Sequence, residues 1–215
     1  MKLLAIFLPS LDGGGAEKVM LLLAERLVAR GIRCDIVIAI NKGALLDQVP
    51  SGVRLVNLGK SKTIHALFAL RRYLISQRPD ALLATVFTAN VCAALASMIT
   101  PIKIRTVICE ASPSSLGLKS TSFVKTLLNH IVARASYRKA TRVIAISRGV
   151  RNSLIEAKLA DPSKITIIYN PIKHVPTPNE PARSPTDVIL VACGRLESPK
   201  DYPTLLRAFA RVHAV

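Results

Sequence analysis

The stretch Leu8–Gly31, LPSLDGGGAEKVMLLLAERLVARG, decides the fold. The apolar run LLAIFL leads into it and stops at Pro9 and Asp12. Three consecutive glycines follow. A helical pattern comes next, with Val19, Leu22, Leu23 and Leu27 on one face and Gly31 closing it. A buried strand that ends in bare backbone and opens a helix has the outline of an anion site. Glycine lets another molecule approach the chain, and the free N–H groups and dipole of the helix favour negative charge. A plain tight turn would use the same residues, so the loop alone does not fix a function.

The alternation continues along the chain. The sequence predicts strands at CDIVIAI, VRLVNL, ALLATV, IRTVIC, RVIAIS and ITIIY. It predicts helices over residues 63–77, over VCAALASM, over Ser120–Lys139 and over RGVRNSLIEAKL, the last capped by Ser147. Strands separated by helices of this length mean an α/β, Rossmann-like parallel sheet with helices on both faces. The composition then shifts. NPIKHVPTPNEPARSPTD, from Asn170 to Asp187, holds five prolines and no apolar period, and reads as a linker. VILVACGRLESPKDYPTLLRAFARV then reads as the first strand and partial helix of a second, incomplete Rossmann-like domain. The expected organisation is a domain over 1–169, a linker over 170–187 and this opening over 188–215.

The charge narrows the partners. Thirty Lys and Arg stand against thirteen Asp and Glu, a formal net charge of +17. Nucleic acid, an anionic membrane and phosphorylated substrates are the candidate partners. Aromatic residues make up only 4% and there is no tryptophan, which argues against a stacking platform for single-stranded nucleic acid. No groove-reading motif is visible, so no nucleic-acid partner is expected. The N-terminal apolar run reads as a buried strand and not a signal peptide. The uncharged stretch Ala81–Ile102 contains polar residues throughout and reads as strand, turn and helix, not a membrane span. Cys34, Cys92, Cys109 and Cys193 have no metal-ligand spacing and read as buried thiols in a reducing cytoplasm. Asp35 precedes the apolar run of its strand, which is the wrong end to read a ribose and disfavours a nicotinamide site.

Three motifs in order resemble one family. The stretch VIAISRGVRNSLIEAKLADPSKITIIYNPI is similar to the end of the N-terminal domain of glycosyltransferase family 4, the group-1 enzymes of the GT-B fold. GRLESPKDYPTLLRAFA looks like the opening of that family's C-terminal domain, and GGAEKV at Gly14–Val19 resembles its glycine loop. The resemblance implies a two-domain enzyme with a cleft between Rossmann-like halves. The N-terminal half would bind an acceptor, and the C-terminal half a nucleotide-diphosphate sugar. Carried over by position, Arg195 and Lys200 would hold the donor diphosphate, and Gly14 and Gly15 would line the cleft beside it. Cations and backbone N–H groups suit a reaction whose leaving group is an anion.

The resemblance further implies transfer of a sugar to a hydroxyl of a saccharide or lipid-linked acceptor, with retained configuration. It implies no bound metal and no cofactor besides the donor. Where many relatives place a histidine near the transferred sugar, this chain has ICEASPSS, which makes Glu110 the candidate catalytic residue. Glu110 would bond sugar hydroxyls or pair with a neighbouring arginine. Asn90, in the loop expected after ALLATV, and Glu17, at the start of the first helix, are acceptor-side candidates. The two glutamates that the family uses in its second domain fall outside the 215 residues, so this chain is expected to be inactive alone. A non-catalytic binding domain and a GT-B sugar epimerase are the alternatives. The helix Ser120–Lys139 carries a stripe of Phe123, Val124, Leu127, Leu128, Ile131, Val132 and Ala135, flanked by Lys119, His130 and Arg134. Such a stripe either faces the core or seats the domain peripherally on the anionic inner face of a membrane.

Overall fold

The computed structural model describes residues 3–112, 123–171, 190–194, 196 and 200–213. The chain divides into two compact units, Met1–Ile172 and Lys173–Val215. The first holds a seven-stranded parallel sheet: β1 Leu3–Leu8, β2 Arg33–Ile38, β3 Arg54–Asn57, β4 Ala81–Thr85, β5 Arg105–Glu110, β6 Arg142–Ala145 and β7 Ile165–Ile167. Its helices are α1 Gly15–Val28, α2 Leu67–Gln77, α3 Phe87–Met98, α4 Phe123–Lys139 and α5 Arg148–Glu156. Each strand that the sequence predicts in this unit forms.

The order across the sheet is β3-β2-β1-β4-β5-β6-β7. The chain starts at β1, steps outward to β3, crosses back over β1 to β4, and then proceeds the other way. The direction therefore reverses between β1 and β4, and such a reversal opens a crevice at the carboxyl ends of those two strands. β1 is the most enclosed strand: all six of its residues are buried. That explains why its sequence is a continuous apolar run and not an alternation.

Helices cover both faces. On one, α1 packs Met20, Leu21 and Ala24 onto Leu4, Ile6, Leu8, Ile36 and Ile38. On the other, α2 and α3 cover Ala5, Phe7, Val37, Leu82 and Ala84. The same layer continues as α4 and α5 over Ile108, Val143 and Ala145, with α3 packed between α2 and α4. α1 ends as the sequence implies. Gly31 takes φ +75°, its N–H donates to the Val28 carbonyl at 2.9 Å, and the Ile32 N–H donates to the Leu27 carbonyl at 3.0 Å. Ser147 caps α5, its hydroxyl oxygen accepting from the Val150 N–H at 3.1 Å.

Four expectations need correction. α3 starts at Phe87 and not at Val91, so Asn90 lies inside a helix. The start is set by Val86, which absorbs the turn with φ +73° and ψ 130°. The described part of the apolar stripe of α4 is not its core face. Ala133, Ser136, Tyr137 and Ala140 are buried, while Leu127, Ile131 and Ala135 are exposed. The buried face of this helix consists of small residues and Tyr137, whose hydroxyl finds a partner in Glu110. Cys34, Cys92 and Cys109 are buried, but Cys193 is exposed. Finally, Leu190–Cys193 do not form a strand. A strand without a neighbour to pair with has no partners for its backbone groups. In the same unit a helix, α6, spans Tyr202–His213. The expected linker and the segment around Lys119 lie outside the described residues.

Candidate functional site

The site is built from loops at the carboxyl ends of β1, β2, β4 and β5. The loop after β1 is fixed at its base. Leu11 is fully buried, its N–H donates to the Lys42 carbonyl at 3.0 Å, and its carbonyl accepts from the Leu45 N–H at 3.0 Å. The β2 loop passes so close that a Cβ on Gly43 would overlap the Leu11 carbonyl, and Gly43 itself has φ +133°. Ser10 donates to Asp12 Oδ2 at 2.8 Å, holding the last side chain before the glycines.

The three glycines have three different reasons. Gly13 has φ +108°, a backbone region that side chains avoid. Gly14 is the N-cap of α1, and a Cβ there would overlap the Glu17 carboxylate, which folds back over it. Gly15 is the first helical residue, and nothing lies within 4 Å of where its Cβ would stand. No atom of this chain requires a glycine at position 15. Glu17 occupies the first turn of α1, where the helix dipole favours a carboxylate. Its Oε2 is buried and has no hydrogen-bond partner among the described residues.

The other wall rises from β4 and β5. Val86 is a β-branched residue in a conformation nearly reserved for glycine, a strain that persists only where the surroundings hold it. They do so here: the Asn90 N–H donates to the Val86 carbonyl at 2.9 Å. Asn90 Nδ2 in turn donates to the Cys109 carbonyl at 3.1 Å, tying α3 to β5. Asn90 is fully buried, and its Oδ1 has no partner among the described residues.

Glu110 ends β5 and is only 2% exposed. Its partner is the hydroxyl of Tyr137 on α4, not an arginine, and the Ala111 and Ser112 N–H groups also point to its carboxylate. Burial raises the Glu110 carboxyl above the usual carboxylate range, and these hydrogen bonds oppose the rise. Burial and the Glu110 charge push the Tyr137 hydroxyl well above the ordinary tyrosine value. Burial raises the neighbouring Cys109 thiol to about 11, so it stays protonated at neutral pH. The sequence shows Glu110 but not Tyr137, which lies 27 residues away and belongs to this site only through the packing of α4 on β5.

At the opposite, amino end of the sheet, Asp35 is buried and bound by the Arg54 guanidinium, with the Tyr73 hydroxyl donating to it at 2.5 Å. This places it away from the glycine loop, as its position in β2 implies. In the second unit, Lys200 packs beside Gly194: a Cβ on that glycine would lie 3.6 Å from the lysine Cδ and Cε. Arg195 lies outside the described residues. Among the described residues no three His, Cys, Asp or Glu side chains converge as a metal site.

A doubly wound parallel sheet with a bare glycine loop at its switch point defines a Rossmann-like domain of the kind found in GT-B proteins. The chain belongs to glycosyltransferase family 4, whose family model matches residues 13–174. Solved structures carry the same fold. HepE from Anabaena, in complex with UDP and glucose, superposes with a TM-score of 0.61 at 20% identity, over 80% of this chain and 45% of that one. The lipopolysaccharide outer core galactosyltransferase WaaB, in its apo form, gives 0.60 at 16% identity, over 85% and 51%. MurG from Acinetobacter baumannii gives 0.54 at 14% identity, over 81% and 46%. The chain thus spans about half the length of these structures. No curated protein matches the sequence.

Proposed function

We propose that this chain is the acceptor-side half of a glycosyltransferase that moves a sugar from a nucleotide-diphosphate sugar to a hydroxyl of a saccharide or lipid-linked acceptor. The single observation that carries the reading is Gly15. It is a helix-opening glycine at the carboxyl end of β1 that nothing in the chain itself requires. Its backbone N–H and those beside it are donors for an anion, and in this reading Gly14 and Gly15 are the residues that meet the donor. Arg195 and Lys200 are the cations for the departing diphosphate, in a retaining reaction without a metal.

Glu110 is a positioning residue in this reading. Its carboxylate is turned to Tyr137, Ala111 and Ser112 and holds the start of the loop after β5, where acceptor or transferred sugar would lie. Asn90 does the same for the start of α3, its side-chain amide donating to the Cys109 carbonyl of β5. Glu17 sets the electrostatics of the α1 terminus.

Amide NMR tests the reading. Titration with UDP-glucose and other nucleotide-diphosphate sugars should shift the Gly14 and Gly15 amide signals of the purified chain, and Gly15→Ala should abolish the shift. Unmoved glycine signals at saturating concentrations of every donor tried would overturn it.

A further inference from the structure

The amino end of the sheet, opposite the glycine loop, carries a cavity that the proposed transfer reaction leaves unused. It lies where α3 and α4 end, beside the start of β5, and holds about 440 Å³. Its buried lining is small: Ala94, Thr106 and Ala140 are each at most 3% exposed. Met98, Pro101 and Ile102 give it an apolar side. Lys103 and Lys139 also line it, and both are exposed. α3 has 12 residues and is therefore about 18 Å long, so the cavity and the crevice lie at opposite ends of one helix.

Lysines near helix C-termini ordinarily serve the last carbonyls. Here other donors do so. At the end of α3, Arg71 Nε donates to the Ile99 carbonyl at 2.9 Å, and the Thr100 hydroxyl donates to the Ala96 carbonyl at 2.7 Å. The Thr100 N–H donates to the Ser97 carbonyl at 3.3 Å. At the end of α4, Lys164 Nζ donates to the Arg138 carbonyl at 2.7 Å and to the Ala140 carbonyl at 3.3 Å. Neither Lys103 nor Lys139 has a side-chain hydrogen bond or an acid partner among the described residues. Residues 87–104 and 123–140, which hold both lysines, contain no Asp or Glu. Inside the cavity, Thr106 Oγ1 donates to Ser97 Oγ at 2.7 Å. Two hydroxyls sharing one hydrogen bond keep one proton between them, so the pair can donate once more.

We propose that this cavity binds a small phosphorylated molecule. Lys103, Lys139 and the Ser97–Thr106 hydroxyl pair hold the phosphate, and the carbon skeleton lies against Met98, Pro101 and Ile102. The donor set selects this class. Two ammonium groups and a hydroxyl supply charge and protons, and no carboxylate of the lining opposes an anion. A phosphate monoester carries about −1.5 to −2 at pH 7 and matches both ammonium groups, whereas a carboxylate matches only one. A neutral ligand would leave both without a counter-charge. The volume falls within the range of small-molecule sites. The inference stands on the cavity and its donors, and is independent of the sugar chemistry at the glycine loop.

Amide NMR of the purified chain tests it, with phenyl phosphate as the probe and benzoate and phenol as the singly charged and neutral comparisons. Phenyl phosphate should shift the Ser97, Lys103 and Thr106 amide signals saturably. Benzoate should act about tenfold more weakly, and phenol should leave the signals in place. Lys103→Gln and Lys139→Gln should each weaken the phenyl phosphate response by about tenfold, while Lys62→Gln, at an exposed position outside the cavity, should leave it unchanged. Urea midpoints confirm that each variant folds. In a Gly15→Ala chain the cavity shifts should persist, which separates this outcome from that of the glycine loop. The proposal is overturned by any of three results: no saturable shift at the cavity amides up to about 50 mM probe, well above the roughly 1 mM of a weak site; benzoate or phenol acting as strongly as phenyl phosphate; or Lys62→Gln costing as much as the cavity variants.

Discussion

Glycine 15 and glycine 43 are the same residue type with opposite roles, and substitution separates them. Gly43→Ala puts a methyl group into the Leu11 backbone at a φ of +133° and should cost several kcal/mol, on the order of 3, seen as a lowered urea midpoint. Gly15→Ala meets open space at a helical φ and should leave the midpoint unchanged or raise it, by up to about 1 kcal/mol. A Gly15 variant that destabilises the fold would show that the loop needs that glycine for itself. Glu110 makes a prediction in pH. Its carboxyl is held above the usual range in the folded chain, so the native state keeps a proton that the unfolded state has lost. Stability from this group therefore falls as pH rises from the ordinary carboxylate value toward the raised one. Glu110→Gln keeps an acceptor for Tyr137 and removes the titration. Urea melts at pH 4.5 and at pH 7, values near and above the ordinary carboxylate range, should show a smaller decline for the variant. Identical declines would mean that burial does not govern this carboxyl.

At the scale of elements, the buried strands were legible because parallel strands covered on both faces have no polar alternation to hide them. β1 is a continuous apolar run, β2 is apolar from Ile36 and β4 up to Ala84, and Asp35 is a buried charge that the structure explains. It is held between β3 and α2 by Arg54 and Tyr73, so its charge fastens the edge strand to the helix. Arg54→Ala would leave that buried carboxylate with Tyr73 alone and should cost about 2 kcal/mol, measured by chemical unfolding. Tyr73→Phe should cost less, because the exposed guanidinium can still turn to the acid. Helix boundaries and faces were less legible. α3 starts early because Val86 accepts a glycine-like conformation, and nothing in a valine announces that. The α4 stripe misleads for a different reason. Periodicity marks an apolar face, but whether that face meets the core depends on how close the neighbouring helix lies. Here Ala133 and Ala140 allow close approach, and Leu127 and Ile131 turn out to solvent. The two halves of the candidate site differ likewise: the glycine loop is local in sequence, while Glu110, Asn90 and Tyr137 meet only through packing.

For the molecule as a whole, the distribution of the core fixes what holds the chain together. All three apolar clusters lie within residues 4–165, inside the unit Met1–Ile172. In the second unit, α6 leaves Leu205, Leu206, Phe209 and Val212 exposed, and Leu190, Val191 and Leu196 are exposed as well. Burial of apolar surface is the dominant stabilising contribution, at roughly 25 cal/mol for each Å² removed from water. A segment whose large apolar groups remain in water gains little from it, and its helix adds little by propensity alone. Removal of residues 173–215 should therefore leave the urea midpoint of the sheet domain unchanged, followed by far-ultraviolet circular dichroism. The m-value should fall slightly with chain length at most. Because α6 contributes helical signal, its loss should lower the initial ellipticity without moving the transition. A truncated chain that unfolds at clearly lower urea would show that residues 173–215 stabilise the sheet domain, and the core would then have to extend beyond the three clusters.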